Sequence, residues 1–576
     1  MNYASNPVLT LTLPTWRSRT LLTVFVAGFV VLLGRAAYLQ GLHNDFLQAK
    51  GESRYSRVLD IPADRGRILD RNGEVLAIST PVKSLWAIPG EVKMNREQIA
   101  RVGTLLDMPA AEIRKRIAEH DRDFVFIKRR ISPEVADRIA ELRIPGLFQN
   151  REYRRYYPGG EVMAHVLGFT GVDDAGQEGI ELAFQETLAG KSGSRRVIKD
   201  RLGQIVEDVE SIRSAQNGRD MELALDARIQ NLAFGQLKSA IEKHRAKAGG
   251  IVVIDVRTGE ILALANLPTY NPNNRSRLTG AQIRNRAVTD TFEPGSTLKP
   301  FTVALALESG SVSPDTAISV APGTLTIGTA TIRDAHAERA LTVAQVIQKS
   351  SNVGTAKIAL ALSAESMSDM FQRSGFGAVS QLGFPGEASG KLRPYRTWRP
   401  IEQATMSYGH GISVSLIQLA RAYSMFARDG DLVPLSLVRV DAPPQAKPVI
   451  SSKTAHAIRA MLEMAVQPEG TAPRAQIIGY RVAGKTGTAH KEENGRYSAT
   501  KYVSSFVGFA PASNPRLVIA VMIDEPGDGR YYGGEVAAPV FSHVMAGALR
   551  ILDVAPDAPL RPIVLPAEGK EIKESI

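Results

Sequence analysis

The sequence predicts an α/β protein: an antiparallel sheet packed by helices with an all-helical insert, preceded by an α+β module and one apolar span. Three observations lead there. The run Leu21–Gly34 is uninterrupted and apolar, and two arginines, Arg17 and Arg19, stand just before it. Asn72-Gly73, inside Arg65–Ala77, is a tight-hairpin dipeptide between two apolar segments. Beyond residue 220, apolar strand-like runs lie at both ends of a long region whose middle has helical periodicity.

The apolar run reaches membrane-spanning length, roughly 20 residues, only if Arg35-Ala36-Ala37-Tyr38-Leu39 is added. Arg35 then snorkels outward and Tyr38 suits the interface. A cleaved signal peptide is the rival, but Arg35 would occupy the −3 position for cleavage after Ala37, where a small residue is needed. The reading is an uncleaved anchor at 20–39, a cytoplasmic tail at 1–19, and everything after residue 40 outside the membrane. Residues 41–60 read as a polar, partly helical stalk, and Arg65–Ala77 as two short strands around a turn. The stretch 94–145 reads as helical, and Arg151–Gly160 as a basic, aromatic loop.

A boundary is expected near 215–222, dividing a non-catalytic module (40–220) from a second domain (221–554). In the latter, Ala227 to about Lys247 is helical, and Ile251–Asp255 and Ile261–Ala265 form a buried hairpin. Further strands are expected at Arg481–Gly484, Ser504–Ala510 and Leu517–Ile523, and helices at 300–310, 341–362, 415–427, 452–466 and 539–552. The tail 555–576 is Pro-rich and charged and reads as unstructured or surface-hugging.

Composition narrows the function. Hydrophobic content of 44% is ordinary for a globular chain, which argues against a polytopic membrane protein. The net charge of +11 is spread along the sequence with no nucleic-acid-binding motif, so it suits anionic envelope polymers or lipid headgroups rather than nucleic acid. There are 0 cysteines and the 9 histidines lack metal spacing, so neither a metal site nor a cofactor is expected.

The chemistry concentrates at Thr291–Phe301. Pro294-Gly295 is a turn signal, and Ser296 reads as the N-cap of the apolar run Phe301–Leu307. Residues i and i+3 share a helix face, so Ser296 and Lys299 stand together: a hydroxyl beside an amine, with backbone N–H groups nearby. S-x-x-K alone is weak, and it recurs at Ser498-Ala499-Thr500-Lys501. Only the first match is followed by Ser350-Ser351-Asn352 and then Lys485-Thr486-Gly487-Thr488. The ordered set S-x-x-K, S-x-N, K-T-G marks penicillin-recognising serine acyltransferases.

With these motifs and Arg65–Ala77 (R-G-x-I-x-D-R-N-G-x-x-L-A), the chain resembles the class B penicillin-binding proteins from its anchor to Leu552. Met406–Ser415, Lys485–Lys491, Tyr531–Gly534 and Ala538–Phe541 resemble the division-specific septal branch; the elongation-specific branch is the alternative. The resemblance implies a penicillin-binding, serine β-lactamase-like transpeptidase fold behind an elongated pedestal or dimerisation module. It implies that Ser296 attacks the D-alanyl-D-alanine bond of a peptidoglycan stem peptide, with Lys299 as base and Ser350 as proton relay. Asn352 would hold the donor backbone and Lys485 supply charge. Thr486, Gly487 and Thr488 would form the carboxylate-binding element, and the backbone N–H groups of Ser296 and Thr488 the oxyanion hole. β-Lactams would trap Ser296. The implied partners are a membrane glycosyltransferase and other division proteins, at the division site of the inner membrane with the catalytic domain periplasmic. A β-lactamase is disfavoured because no E-x-x-L-N segment is present, and a membrane β-lactam sensor because there is one span. A bifunctional enzyme is disfavoured because the motif before residue 220 belongs to the non-catalytic module. A structural division scaffold is the non-enzyme alternative.

Overall fold

The computed structural model describes residues 14–42, 56–118, 124–199, 205–493, 495–560, 562–563 and 574. A first helix, α1 (Thr15–Ala37), continues into a π turn at Tyr38–Leu42. Its apolar side chains are exposed, and the 26-residue stretch Thr15–Gln40 is long and apolar enough to cross a membrane. The Arg35 guanidinium lies 5.6 Å from the Tyr38 ring centre, so the two residues expected at an interface stand together.

Two compact units follow from the chain's own contacts, and they interleave in sequence. One comprises Met1–Ala63, Val82–Glu152 and Lys191–Gln216; the other, Asp64–Pro81, Tyr153–Gly190 and Asn217–Ile576. One crossing between them, Gln216 to Asn217, falls inside the boundary expected at 215–222, while Asp64–Pro81 and Tyr153–Gly190 belong to the second unit.

In the first unit, strand β1 (Ser56–Ile61) takes the end of the expected stalk, whose residues 43–55 lie outside the described residues. Strand β2 (Ile68–Leu69), in the second unit, and strand β3 (Val75–Ala87), whose chain runs from the second unit into the first, surround Asn72-Gly73, and β3 is far longer than the short strand expected. The stretch expected to be helical contains α2 (Arg96–Leu106), α3 (Ala110–Ile117) and α4 (Pro133–Ala140), but also strand β4 (Val125–Ile131). There Val125, Ile127 and Ile131 are buried and pack with Leu85, Ile99, Val102 and Ile113; β4 pairs with the Lys83–Ala87 end of β3. The alternation Val-Phe-Ile is a period-2 signal outweighed by the helical patterns on either side. Arg151–Tyr156, expected as loop, belongs to strand β5 (Leu147–Tyr156). Strands β6 (Gly193–Lys199) and β7 (Ile205–Arg213) complete a three-stranded sheet in the order β1-β6-β7.

The second unit contains the Arg65–Ala77 motif, which has a physical account. Asp70 accepts from the Asn72 and Glu74 N–H groups at 2.8 Å each, closing the turn, and from Ala227 N–H at 3.1 Å. The turn is thus tied to the start of α5 (Ala227–Lys243), which is capped by Asp226. Arg65 and Arg155 both bind the buried Glu181 carboxylate, each at 2.6 Å. Strand β8 (Met221–Glu222) runs parallel to β2.

Strands β9 (Ala248–Asp255) and β10 (Ile261–Leu267) form the expected hairpin. Between this pair and the remaining strands the chain runs through helix α6 (Lys299–Glu308), α7 (Val343–Gln348), α8 (Asn352–Leu360), α9 (Leu416–Ala427) and α10 (Ser452–Val466). It then returns as β11 (Ala483–Glu493), β12 (Arg496–Ala510) and β13 (Leu517–Asp524), and closes with α11 (Ala538–Ile551). The antiparallel sheet has the order β10-β9-β13-β12-β11. Both faces are covered, so its strands read as continuous apolar runs. Ile251 and Val253 face a core with Phe234, Leu237, Phe541 and Val544, while Val252 and Ile254 face one with Leu416, Leu419 and Phe426. The helix expected at 341–362 is two helices, α7 and α8, broken at Lys349–Ser351, where Ser350 has φ +58°.

Candidate active site

Ser296 is not a cap. It lies inside a 3₁₀ turn, Gly295–Leu298, that runs directly into α6, and its side chain makes no capping bond. The neighbouring Thr297 hydroxyl is taken up locally, donating to Pro294 C=O at 2.7 Å. That leaves Ser296 Oγ for Lys299 Nζ at 2.9 Å, the i,i+3 pairing expected. Helix α6 is buried on nearly every side, the pattern of a central core helix. Phe301 packs edge-on or tilted against Phe376, Tyr423 and Phe426 at 5.1, 5.6 and 5.0 Å between ring centres. Tyr423 in turn donates to Thr297 C=O at 2.7 Å, tying α9 to the turn that carries Ser296.

Lys299 Nζ has three neighbours: Ser296 Oγ at 2.9 Å, Ser350 C=O at 2.6 Å and Ser350 Oγ at 3.0 Å. A neutral amine has two N–H donors and one lone pair. It can therefore donate to both Ser350 oxygens and accept the Ser296 proton. Burial disfavours the charged form, and so does the nearby Lys485 ammonium; together they hold Lys299 well below its ordinary value, while Asp334 and Glu574 act more weakly the other way. Lys485, fully buried on β11, donates to the same Ser350 Oγ at 3.0 Å. Burial lowers it to about 8, with Glu574 opposing. Ser350 Oγ thus accepts from both lysines and keeps its own proton to give. Its left-handed backbone is the strained element that presents carbonyl and hydroxyl to the same amine.

The K-T-G strand lies against the nucleophile turn. A Cβ on Gly487 would fall 2.5 Å from Ser505 Oγ, 2.6 Å from Pro294 O and 2.9 Å from Thr297 Cγ2, so only glycine allows this approach. Gly295, at the left-handed φ of +55°, also lies against Thr488, less tightly: a Cβ there would stand 3.2 Å from Thr488 O and 3.5 Å from Thr488 N. Thr486 donates to Thr471 Oγ1 at 3.0 Å, and its hydroxyl also faces Lys485 Nζ and the Glu574 carboxyl. Thr488 donates its hydroxyl to the Glu574 carboxylate at 2.9 Å. Asn352 begins α8, and its side-chain amide donates to Arg333 C=O at 3.3 Å. Ser498 stands on strand β12, where its Oγ accepts from the Thr500 and Lys501 N–H groups at 3.4 and 3.3 Å. That second S-x-x-K is a strand with local turn bonds.

Three participants escape the motifs. Asp334 accepts from Ser351 Oγ at 2.6 Å, Asn352 N–H at 2.6 Å and Val353 N–H at 2.9 Å. It clamps the N-terminus of α8, and with it the S-x-N turn, where an anion is favoured. Thr471 holds Thr486. Glu574, in the tail expected to be unstructured or surface-hugging, is 4% exposed and sits at the K-T-G strand. Tyr531 stacks on Tyr502 at 4.1 Å and 11°, and lies 4.6 Å from Tyr532. In sequence, Asp334 and Glu574 are each one acid among 59, with nothing local to mark them.

A buried serine hydroxyl beside a lysine held well below its ordinary value, with a second buried lysine and threonine hydroxyls next to it on a sheet edge, is an arrangement suited to serine acyl transfer. Residues 249–546 match the penicillin binding protein transpeptidase domain and residues 60–223 the penicillin-binding protein dimerisation domain, and the chain belongs to the class B penicillin-binding proteins. It is 45% identical over 536 residues, 92% of each chain, to the probable peptidoglycan D,D-transpeptidase PenA of Neisseria gonorrhoeae. It is 40% identical over 551 residues, 94% of this chain and 93% of the relative, to the peptidoglycan D,D-transpeptidase FtsI of Escherichia coli K12. Among solved structures, the apo transpeptidase domain of Burkholderia pseudomallei penicillin-binding protein 3 matches with a TM-score of 0.55 and 48% identity, covering 58% of this chain and 98% of that one.

Proposed function

We propose that this chain is a septal peptidoglycan D,D-transpeptidase working through a Ser296 acyl-enzyme. The observation that carries the reading is the buried relay Ser296–Lys299–Ser350–Lys485, closed by hydrogen bonds of 2.9, 3.0 and 3.0 Å. Ser296 Oγ attacks the carbonyl carbon between the two terminal D-alanines of a donor stem peptide, and its proton passes to the Lys299 lone pair. The tetrahedral oxyanion is received by the backbone N–H groups of Ser296 and Thr488; such donors are typically worth about 2.7–4 kcal/mol each. As the C–N bond breaks, Ser350 passes a proton to the departing D-alanine amine and is reprotonated from Lys299. An amine of a neighbouring stem peptide then gives its proton to Lys299 and attacks the ester. That step forms the cross-link, and as the ester C–O bond breaks the proton passes from Lys299 to Ser296 Oγ, restoring the free serine and the neutral amine. Asn352 holds the donor backbone, and Lys485, Thr486 and Thr488 hold its terminal carboxylate across Gly487. A β-lactam follows the first half of this path and stops at the ester.

The septal assignment is supported by the resemblance of Met406–Ser415 and Lys485–Lys491 to the division-specific branch. Helix α1 supports a single-pass anchor with a cytoplasmic N-terminus and the catalytic unit in the periplasm. Residues 60–220, together with the Leu21–Leu39 span, are the surface for a membrane glycosyltransferase, and other division proteins are further partners. The catalytic reading is tested by labelling the full-length protein with a fluorescent penicillin at pH 7. Ser296→Ala abolishes the label and Ser498→Ala retains it; an acyl adduct found by mass spectrometry on Ser498 would overturn the assignment.

A further inference from the structure

The charge around the nucleophile changes sign along β11. Lys485 stands near the start of that strand, and at its far end Tyr497, paired with Glu492, donates to the Glu293 carboxylate just before the Ser296 turn. Tyr497 Oη lies 3.0 Å from each Glu293 oxygen, Gly411 N–H donates to Oε1 at 2.7 Å, and His410 Nδ1 stands 3.4 Å from Oε2. A carboxylate offers about four acceptor positions, so these donors leave it room for one more. Burial and the Glu293 charge push the Tyr497 phenol up, which keeps it a donor.

His410 is held close to the reaction centre. A Cβ on Gly409 would fall 2.2 Å from Gly295 O, so the loop carrying His410 lies against the residue before Ser296. Two ring contacts lead inward: His410 to Tyr408 at 5.4 Å between centres, and Tyr408 to Lys299 Nζ at 5.9 Å from ring centre to nitrogen. The carboxylate favours a proton on Nδ1, and Nε2 has no hydrogen-bond partner among the described residues.

Transpeptidation brings one proton more than Lys299 can take. An amine of the lysine type, with an ordinary pKa of about 10.4, arrives as an ammonium and must lose a proton before it is a nucleophile. Lys299 takes the proton released on attack, and the earlier one needs another base. We propose that Glu293 and His410 form the acceptor subsite: Glu293, oriented by Tyr497, holds the incoming ammonium, and His410 Nε2 takes its first proton. The N–H bond breaks to the imidazole, the free amine attacks the Ser296 ester, and the imidazolium returns its proton to water. The subsite rests on the acyl-transfer reading above and gives its second substrate a place. The other groups facing it are Tyr408 and Lys299, Glu492 beside Tyr497, and Arg393 near Gly411.

The test uses the full-length, detergent-solubilised protein with an N-acyl-D-alanyl thioester of thioglycolate as donor. Two acceptors compete: Nα-acetyl-lysine, whose ε-amine is charged at pH 7, and methoxyamine, which is already neutral there. Both adducts are quantified by mass spectrometry after subtracting a Ser296→Ala blank. The ratio of lysine to methoxyamine adduct at pH 7 falls about a hundredfold in His410→Gln, the loss typical of a general base. In Glu293→Gln it falls about tenfold, one pKa unit of lost charge interaction. Both ratios climb back toward the wild type by about pH 10, where solvent deprotonates the amine. An unchanged ratio in the two variants overturns the subsite. So does an equal fall in both adducts at every pH, which marks a structural role, and so does a wild type that makes only the methoxyamine adduct. Thiol release by the wild type no faster than the Ser296→Ala blank instead removes the acyl-transfer reading on which the subsite rests.

Discussion

The two lysines make opposite demands on pH, and Lys485→Arg separates them. On the proposed mechanism acylation needs Lys299 neutral, to accept the Ser296 proton, and Lys485 charged, to hold an anionic substrate. Lys299 is held well below its ordinary value by burial and by Lys485, so its neutral form extends to lower pH and acylation is lost as pH falls through that lowered value. Lys485 is lowered from 10.5 to about 8, so its charge is lost as pH rises through that value. The groups facing it are Lys299 on α6, Ser350 at the α7–α8 break, and Glu574. Each pH unit above the pKa reduces the charged fraction about tenfold, so kcat/KM for acylation falls roughly tenfold from its plateau at one unit above and about a hundredfold at two. A guanidinium stays charged beyond pH 12, so Lys485→Arg removes this alkaline limb even if its different shape lowers the plateau. The assay is the second-order rate constant of penicillin acylation between pH 5 and about pH 10, read for shape rather than height. A limb persisting near its wild-type position in Lys485→Arg, or a wild-type rate still flat two units above Lys485's value, would refute the assignment of charge to Lys485.

Lys299→Arg is expected to lose at least about a thousandfold in acylation, because a guanidinium cannot accept the Ser296 proton; a wild-type rate would remove Lys299 from the base role. Asp334→Asn weakens charge-assisted bonds to the α8 N-terminus, a loss of about 1.5–3 kcal/mol. It also removes a charge that raises Lys299, so the acid limb moves to lower pH while the rate falls, and an unmoved limb would count against the coupling. Gly487→Ala drives a methyl into Pro294 O and Thr297 and displaces the nucleophile turn, with an acylation loss on the order of a hundredfold at unchanged secondary structure by circular dichroism. Glu181→Gln leaves Arg65 and Arg155 buried without their counter-charge, at a cost of about 3–5 kcal/mol, seen as a lower thermal midpoint.

What the sequence determined by itself is what depends on short separations. Ser296 and Lys299 meet because three residues make most of a helical turn, and that holds although the turn proves to be 3₁₀ rather than capped α. The apolar span, the β9–β10 hairpin and the returning strands of the sheet were legible because each is a run of apolar residues bounded by turns. The order of the three motifs named Ser350, Asn352 and Lys485, and the tertiary structure set Ser350 between the two lysines. Only that structure decided the rest. The break at Ser350 interrupts a pattern that reads as one helix, because the hydroxyl and carbonyl must both reach an amine on another helix. Strands β4 and β5 exist because they find partners in a sheet, and strand propensity depends on partners more than helix propensity does. Asp334 clamps a helix that begins after a further turn of chain, and Glu574 reaches Thr488 from the far end of the sequence. A lone carboxylate carries no local signal of what it will face. Its function is assigned by the fold that brings cations and N–H groups to it, and that assignment is written in long-range packing.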